Sequence, residues 1–466
     1  MKNGLFKSYL AGIRDDEHGE GYLGILRYFA PEFVTTVLLY SVPTLIGSYF
    51  ISSLKSTPAI AALAVTGALS HFLTKVAEAF SVGTVIMVGR ANGLGNMEDV
   101  GRTMRNAFWT TFVLGLVFAS FIYGCAGIIC SWFGVPQEVI DLSVPFLRLY
   151  AVSLFFLFIF QAFIGFLRGV KNTRVPMYIY ISGLVVSVLA NWLFIGGNWG
   201  FPMLGFYGSA LATVLQYVTM LSAALIYFMM NKEYRVYKIN LFHCAWDFSH
   251  VRSLFMLSWP VIIDKATIAA AYIWLVKMFG PMGAGAVATF NVIKDMERFA
   301  LAPAVAFATV ITFLVSNNIG ARDWIGIKSN IKKTVFLASF GVFCILGVFS
   351  IFAKDFVGIF DKRGDFTGLA SAAFPLLCPL VFFDLLQIIL SGSLRGAGNV
   401  KTVMMTRLVI IGAFFVPVSY WFSNMAIENE LLKFMLIFGT FYIGNALMNV
   451  VYINRFRSDA WKPTEE

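Results

Sequence analysis

Twelve long apolar stretches follow one another along this 466-residue chain, at approximately 28–52, 58–88, 106–132, 142–166, 176–197, 205–230, 253–279, 284–316, 334–353, 368–393, 403–423 and 430–454. An α-helix needs about 20 mainly apolar residues to cross the hydrocarbon of a bilayer, and each stretch supplies that length. Strands of a membrane barrel would be half as long and would alternate in polarity. In hydrocarbon every backbone N–H and C=O must find its partner inside the spanning segment, so a chain with this pattern folds as an all-α polytopic membrane protein. Composition agrees, because a charged fraction of 13% cannot coat the surface of two or three soluble domains. The runs at 58–88 and 284–316 exceed the required length, which predicts tilt or extension into the aqueous phase.

The net charge of +10 would point to anionic partners in a soluble protein. Here its distribution points to orientation. An even number of spans puts both termini on one side. Most Lys and Arg fall in the tails and in the connections of that side, whereas only Lys55, Arg148, Lys354, Lys362, Arg363 and Lys433 fall opposite. The positive-inside rule then puts both termini in the cytoplasm and makes the bilayer, not nucleic acid, the partner. The expected organisation is a cytoplasmic segment 1–27, a first lobe 28–230, a cytoplasmic linker 231–252, a second lobe 253–455 and a cytoplasmic tail 456–466. Residues 1–27 contain no apolar core with a cleavage site, so no signal peptide is expected. The five cysteines form no CxxC and read as structural thiols.

An internal repeat divides the chain. FIGFLRGVKNTRVPM at 163–177 aligns without a gap on LSGSLRGAGNVKTVM at 390–404, a shift of 227, matching Gly165/Gly392, Leu167/Leu394, Arg168/Arg395, Gly169/Gly396, Asn172/Asn399 and Met177/Met404. The same shift superposes Gly93 on Gly320. A shift covering six spans means that both halves enter the membrane from the same side. This predicts two six-helix lobes related by a pseudo-two-fold axis along the membrane normal, the parallel-repeat arrangement of carriers.

Ionisable side chains inside spans are costly unless paired or hydrated, so each is a candidate for function. Helical spacing pairs Lys75 with Glu78, Lys294 with Glu297, and Asp295 with Arg298. Three acids have no partner at helical spacing: Glu32 in span 1, Asp264 in span 7 and Asp384 in span 10. A carboxylate in a medium of low dielectric constant favours neutralisation, by a proton or by a sodium ion, and that is the requirement for ion coupling. Gln387, one turn after Asp384, adds an oxygen ligand on the same face, so Asp384 and Asp264 are the candidate Na+ ligands. Prolines recur inside spans, among them Pro31, Pro260, Pro303, Pro375, Pro379 and Pro417, where they kink helices and free carbonyls. Asn191, Asn291, Asp295, Tyr272, Trp274 and Phe290 are the candidates for a substrate cavity, since aromatic faces and isolated polar groups suit lipophilic cations. The chain has no HExxH, Walker loop or GxSxG, so no enzyme and no cofactor are expected, and energy has to come from a gradient.

With the paired LRG loops at Arg168 and Arg395, the Gly93 and Gly320 loops, NWLFIGGNWGFPMLGFYGSALAT at 191–213 and DLLQIILSGSLRGAGN at 384–399, the chain resembles the multidrug and toxic compound extrusion (MATE) family, in its NorM-like bacterial branch. The resemblance covers all twelve spans. It implies a monomeric antiporter in the bacterial inner membrane that exports bulky, often cationic organic compounds against Na+ or H+. It assigns the coupling aspartate of span 10 to Asp384. A relative carrying one specific solute or a lipid-linked precursor is the alternative. Asp264 departs from the family pattern, following Pro260 by four residues where the family acid follows by about two turns. Span 1 has Ser48 or its neighbours where the family has an aspartate, and Asn191 matches an asparagine that replaces an acid in some branches. The cluster Lys294, Asp295, Glu297 and Arg298 has no counterpart in that pattern.

Overall fold

The computed structural model describes residues 18–40, 42–52, 54–241, 246–361 and 364–462. The ends of the expected cytoplasmic tails (1–17, 463–466) and the side chain of Ser48 lie outside the described residues. All regular structure among the described residues is helical. Ten helices are long and apolar enough to cross a membrane, and a bent pair makes an eleventh. These account for spans 2 to 12, and span 1 corresponds to Tyr22–Tyr40 (α1) and Val42–Ser52 (α2). The chain is thus a twelve-span, two-lobe helical membrane protein.

The first lobe contains Thr57–Gly93 (α3), Met97–Trp132 (α4), Gln137–Gly169 (α5), Arg174–Gly196 (α6) and Phe206–Met230 (α7). The second contains Phe248–Phe279 (α8), Ala284–Ala300 (α9), Ala302–Gly320 (α10), Trp324–Ile351 (α11), Ala353–Phe360 (α12), Thr367–Leu377 (α13), Val381–Gly396 (α14), Val400–Ile410 (α15), Val416–Asn424 (α16) and Glu430–Arg457 (α17). The two overlong runs resolve differently. Span 2 is one continuous helix of 37 residues, whereas span 8 breaks at Leu301, where Pro303 near the start of α10 lacks the N–H that would continue the ladder. Pro375 and Pro379 bend span 10 by 57° between α13 and α14. A π turn at Ile411–Phe415 precedes Pro417 in span 11.

The repeat is written into the backbone. In the first lobe α5 packs against α3, and in the second α14 packs against α10. Glycines make the close approach possible, as in other small-residue membrane crossings. A Cβ on Gly165 would meet the Ser81 carbonyl at 2.8 Å, and one on Gly392 would meet the Ala308 carbonyl, 227 residues on, also at 2.8 Å. The helix ends repeat too: Asn172 N–H donates to the Leu167 carbonyl and Asn399 N–H to the Leu394 carbonyl, each at 2.8 Å. At the intervening turn Lys171 and Gly398 both take left-handed φ, 61° and 78°. Arg322 (φ 56°) likewise stands where Gly95 (φ 74°) stands in the first half.

Contacts divide the chain into one unit of Ala30–Ile262 and another of Ile263 onward together with the residues through Phe29. The linker at 231–252 belongs to the first unit because it is docked there: Tyr234 stacks on Phe228 at 5.2 Å, Trp109 Nε1 donates to the Leu241 carbonyl, and Asp247 N–H donates to Asn106 Oδ1. The segment leading into α1 belongs to the second unit for the same kind of reason. Fully buried Lys333 on α11 donates from Nζ to the carbonyls of His18 and Glu20 at 3.2 and 3.1 Å, and Phe29 stacks on Phe307 at 4.0 Å.

Candidate functional site

Glu32, on α1 directly after Pro31, is fully buried and is not a free carboxylate. Arg168, at the end of α5, holds it in a fork, Nε to Oε1 at 2.9 Å and Nη2 to Oε2 at 2.8 Å. Asp264, on α8, is 1% exposed and is held twice, by Arg395 Nη2 at 2.5 Å and by Arg407 Nε at 2.5 Å. Both acids lack partners at helical spacing, as the sequence indicates, but they find them across the fold. Arg168 and Arg395 are the repeated LRG arginines, so each half uses its LRG helix to neutralise the acid on its first helix. Glu32 is balanced by one guanidinium fork and Asp264 by single bonds from two separate arginines, so neither acid has the free charge expected of a coupling group. The motif asparagines have a parallel task. Asn172 Nδ2 donates to Tyr234 Oη and Asn399 Nδ2 to the Trp461 carbonyl, and Tyr234 and Trp461 are again 227 apart.

Asp384 differs from the other two. It lies in the first turn of α14, immediately after the Pro379 bend, where the helix dipole favours negative charge. Its hydrogen bond is neutral, from Asn445 Nδ2 of α17 at 3.2 Å. Arg407 acts on it electrostatically but bonds to Asp264. Gln387 is buried one turn further on, with its amide toward Tyr452. Asn449, one turn after Asn445, donates to the Phe383 carbonyl at 2.8 Å and leaves its own Oδ1 buried and unpartnered among the described residues.

The charge cluster of span 8 is rearranged relative to helical expectation. Lys75 does pair with Glu78, at 2.8 Å. Glu297 instead accepts a hydrogen bond from Tyr442 Oη of α17, and Lys294 turns to Asn291 Oδ1 at 3.4 Å. The Lys294 ammonium also lies over the rings of Phe290 (5.6 Å) and Tyr272 (6.0 Å). Asp295, a residue further around α9, is exposed. Of the other cavity candidates, Phe290 is fully buried against Phe279 and Phe438 and is a core residue, not a wall. Trp274 is fastened through Nε1 to Ser419 Oγ at 2.9 Å. Asn191 lies in the other unit, buried, donating to the Ser187 carbonyl at 2.7 Å. Within the second unit, the candidates Asn291 and Tyr272 come together around Lys294, and Asp295 is exposed on α9.

Sequence reasoning passes over Arg407, Tyr442, Asn445 and Asn449. The signal for the last three is present, since 442, 445 and 449 follow the i, i+3, i+7 spacing of a single polar stripe inside an otherwise apolar run.

Comparison with known proteins agrees with this architecture. The MatE family model matches residues 33–193 and 260–421, two segments whose starts differ by the repeat shift of 227. The chain is 25% identical over 401 residues to the Probable multidrug resistance protein YoeA of Bacillus subtilis (strain 168), covering 85% of this chain and 86% of that protein. It is 24% identical over 351 residues to the Multidrug resistance protein NorM of Photobacterium profundum, covering 73% and 75%. Among solved structures, one described as the outward-facing conformation of a multidrug resistance MATE family transporter of the MOP superfamily superposes with a TM-score of 0.85 at 17% identity, over 97% of this chain and 98% of that one.

Proposed function

On the premise that the chain belongs to the MatE family, we propose that it is a secondary active multidrug exporter, exchanging Na+ or H+ for bulky organic compounds by alternating access, with Asp384 as the coupling carboxylate. It works as a monomer in the bacterial inner membrane with both termini in the cytoplasm. One observation carries the coupling assignment: among Glu32, Asp264 and Asp384, only Asp384 has a neutral hydrogen-bond partner in place of an arginine. A cation arriving at a carboxylate already hydrogen-bonded to a guanidinium gains little, whereas one arriving at Asp384 meets a buried carboxylate with no hydrogen-bonded countercharge among the described residues. A ligand moves a conformational equilibrium only by its differential affinity for the two states, and a site whose charge changes on occupancy supplies such a difference.

The test is substrate transport in inverted vesicles under an imposed Na+ or proton gradient. Asp384→Asn is expected to abolish the gradient-driven component while leaving folded protein in the membrane. Unchanged gradient-driven transport in that variant refutes the assignment.

Lys294 favours the second reading, a specific solute with an anionic group. Its Nζ, among aromatic faces and beside Asn291, reaches no carboxylate among the described residues, and a fixed ammonium repels lipophilic cations. Under that reading Lys294→Met increases export of cationic dyes. Under the first it leaves the preference for charge unchanged.

A further inference from the structure

Tyr442 and Asn445 lie three residues apart on α17, hence on one face and about 4.5 Å apart along the axis. Each holds a carboxylate from a different helix, Tyr442 that of Glu297 on α9 and Asn445 that of Asp384 on α14. The two acids are therefore brought to adjacent turns of the same stripe, and both are buried. Neither makes a salt bridge among the described residues: Glu297 has a phenol, Asp384 has an amide, and the guanidinium acting on Asp384, that of Arg407, is bonded to Asp264. Beside them stand two buried amides, Asn449, whose Oδ1 is unused among the described residues, and Gln387, one turn after Asp384. Asn and Gln amides can be turned to present either atom, so this is unfilled ligand capacity at the place where the carboxylates converge.

We propose that Glu297 is a second carboxylate ligand of the coupling site, and that Glu297 and Asp384 together take one monovalent cation, a sodium ion or a proton, with Tyr442 and Asn445 as positioning residues. Two ionised carboxylates on adjacent turns in a medium of low dielectric constant repel one another, and a single cation between them relieves that repulsion as well as the desolvation of each. The other charged or titratable groups acting on the pair are Arg407 of α15, Tyr272 of α8 and Cys378 at the bend of span 10. Lys294, one turn before Glu297 on α9, is engaged with Asn291 and the aromatic rings. The assignment explains why span 8 carries an acid that the pairing expected from helical spacing leaves without its lysine.

This inference rests on the reading of Asp384 as the coupling residue, and the experiment separates the two. Full-length protein in proteoliposomes is titrated with 22Na+ at fixed pH, and substrate release is titrated with pH in the absence of Na+, for wild type, Asp384→Asn, Glu297→Gln and Tyr442→Phe. With sodium as the ion, Glu297→Gln weakens 22Na+ binding about tenfold or more, and Tyr442→Phe weakens it less. With a proton as the ion, the same variants shift the pH midpoint of substrate release and 22Na+ does not bind specifically. If Asp384→Asn abolishes ion dependence while Glu297→Gln leaves both titrations within about twofold of wild type, the second-ligand assignment falls and the Asp384 reading stands. If neither variant alters ion dependence, both fall. Should Glu297→Gln fail to fold, labelling of Glu297 by dicyclohexylcarbodiimide in the wild type gives the second measurement, read by peptide mass spectrometry. Suppression by Na+, or a pH midpoint of labelling that shifts in Asp384→Asn, supports the site, and labelling indifferent to Na+ with an unshifted midpoint overturns it.

Discussion

Asp264→Asn distinguishes an acid that couples from an acid that holds the fold together. Asp264 is 1% exposed and accepts from Arg395 and Arg407 at 2.5 Å each, and Arg407 is itself 3% exposed. Asparagine keeps the shape but removes the charge, leaving the Arg407 guanidinium buried without a counterion. Breaking a buried ion pair by neutralising one partner typically costs about 3–5 kcal/mol. That corresponds to roughly two to three and a half powers of ten in an unfolding constant. The assay is detergent-induced unfolding of the reconstituted protein, paired with gradient-driven transport normalised to folded protein. The expected outcome is a lower unfolding midpoint with ion dependence per folded molecule preserved, because the charge lost is one already balanced. A variant as stable as wild type that has lost its ion dependence would refute this reasoning and return Asp264 to the coupling role that its lack of a helical partner suggests.

Gly165→Ala puts a Cβ 2.8 Å from the Ser81 carbonyl and 2.6 Å from the Thr84 Cβ, so α3 and α5 have to separate. A loss of about 1–3 kcal/mol is expected on the same unfolding assay, against an effect near zero for Gly124→Ala, whose Cβ meets nothing within 4 Å. At the loop leading into α13, Asp361 accepts from the N–H groups of Gly364, Asp365, Phe366 and Thr367 and from the Thr367 hydroxyl, and these bonds together outweigh the opposing effect of desolvation and bring its pKa from the ordinary 3.8 down to about 2. Since the folded-state value is the lower one, its contribution is present above about pH 3.8 and disappears as the pH falls through about 2. Protection of the amides of residues 364–367 against hydrogen exchange, taken relative to the intrinsic rate at each pH, is expected to fall as the pH drops across that window in wild type and to be low throughout in Asp361→Ala. Protection that stays constant across the window in wild type would count against the cap.

The legible and illegible parts of this protein differ in the range of the interaction involved. Spans, the bends at Pro303 and Pro379, the Lys75–Glu78 pair and the glycine crossings depend on neighbours along one helix or on the repeat, and all can be read in order along the chain. Glu32 and Asp264 look alike by that test, as acids without a partner one turn away, and both are paired across the fold, Glu32 forked by Arg168 136 residues away and Asp264 shared by Arg395 and Arg407, 131 and 143 residues away. Lys294 and Glu297 have the right spacing for a pair, yet Tyr442 takes the glutamate and Asn291 the lysine. Helical spacing shows which partners are available, and burial against a neighbouring helix decides which is used. The paired LRG sequences are conspicuous by themselves, but their physical task emerges only when Arg168 and Arg395 meet the acids of the first helices.

By itself the sequence determined the class, the number of spans, the two-fold division and the short list of intramembrane charges, because in hydrocarbon the backbone has to satisfy itself locally and every charge is costly wherever it ends up. Tertiary structure decided which of those charges remain unbalanced. Electrostatic pairing at close range depends on distance in space, and the contacts that distinguish Asp384 from Asp264 join helices far apart in the chain. Of three acids alike in lacking a partner at helical spacing, packing neutralised two with arginines and set the third beside Asn445, one turn along α17 from Tyr442, which holds Glu297.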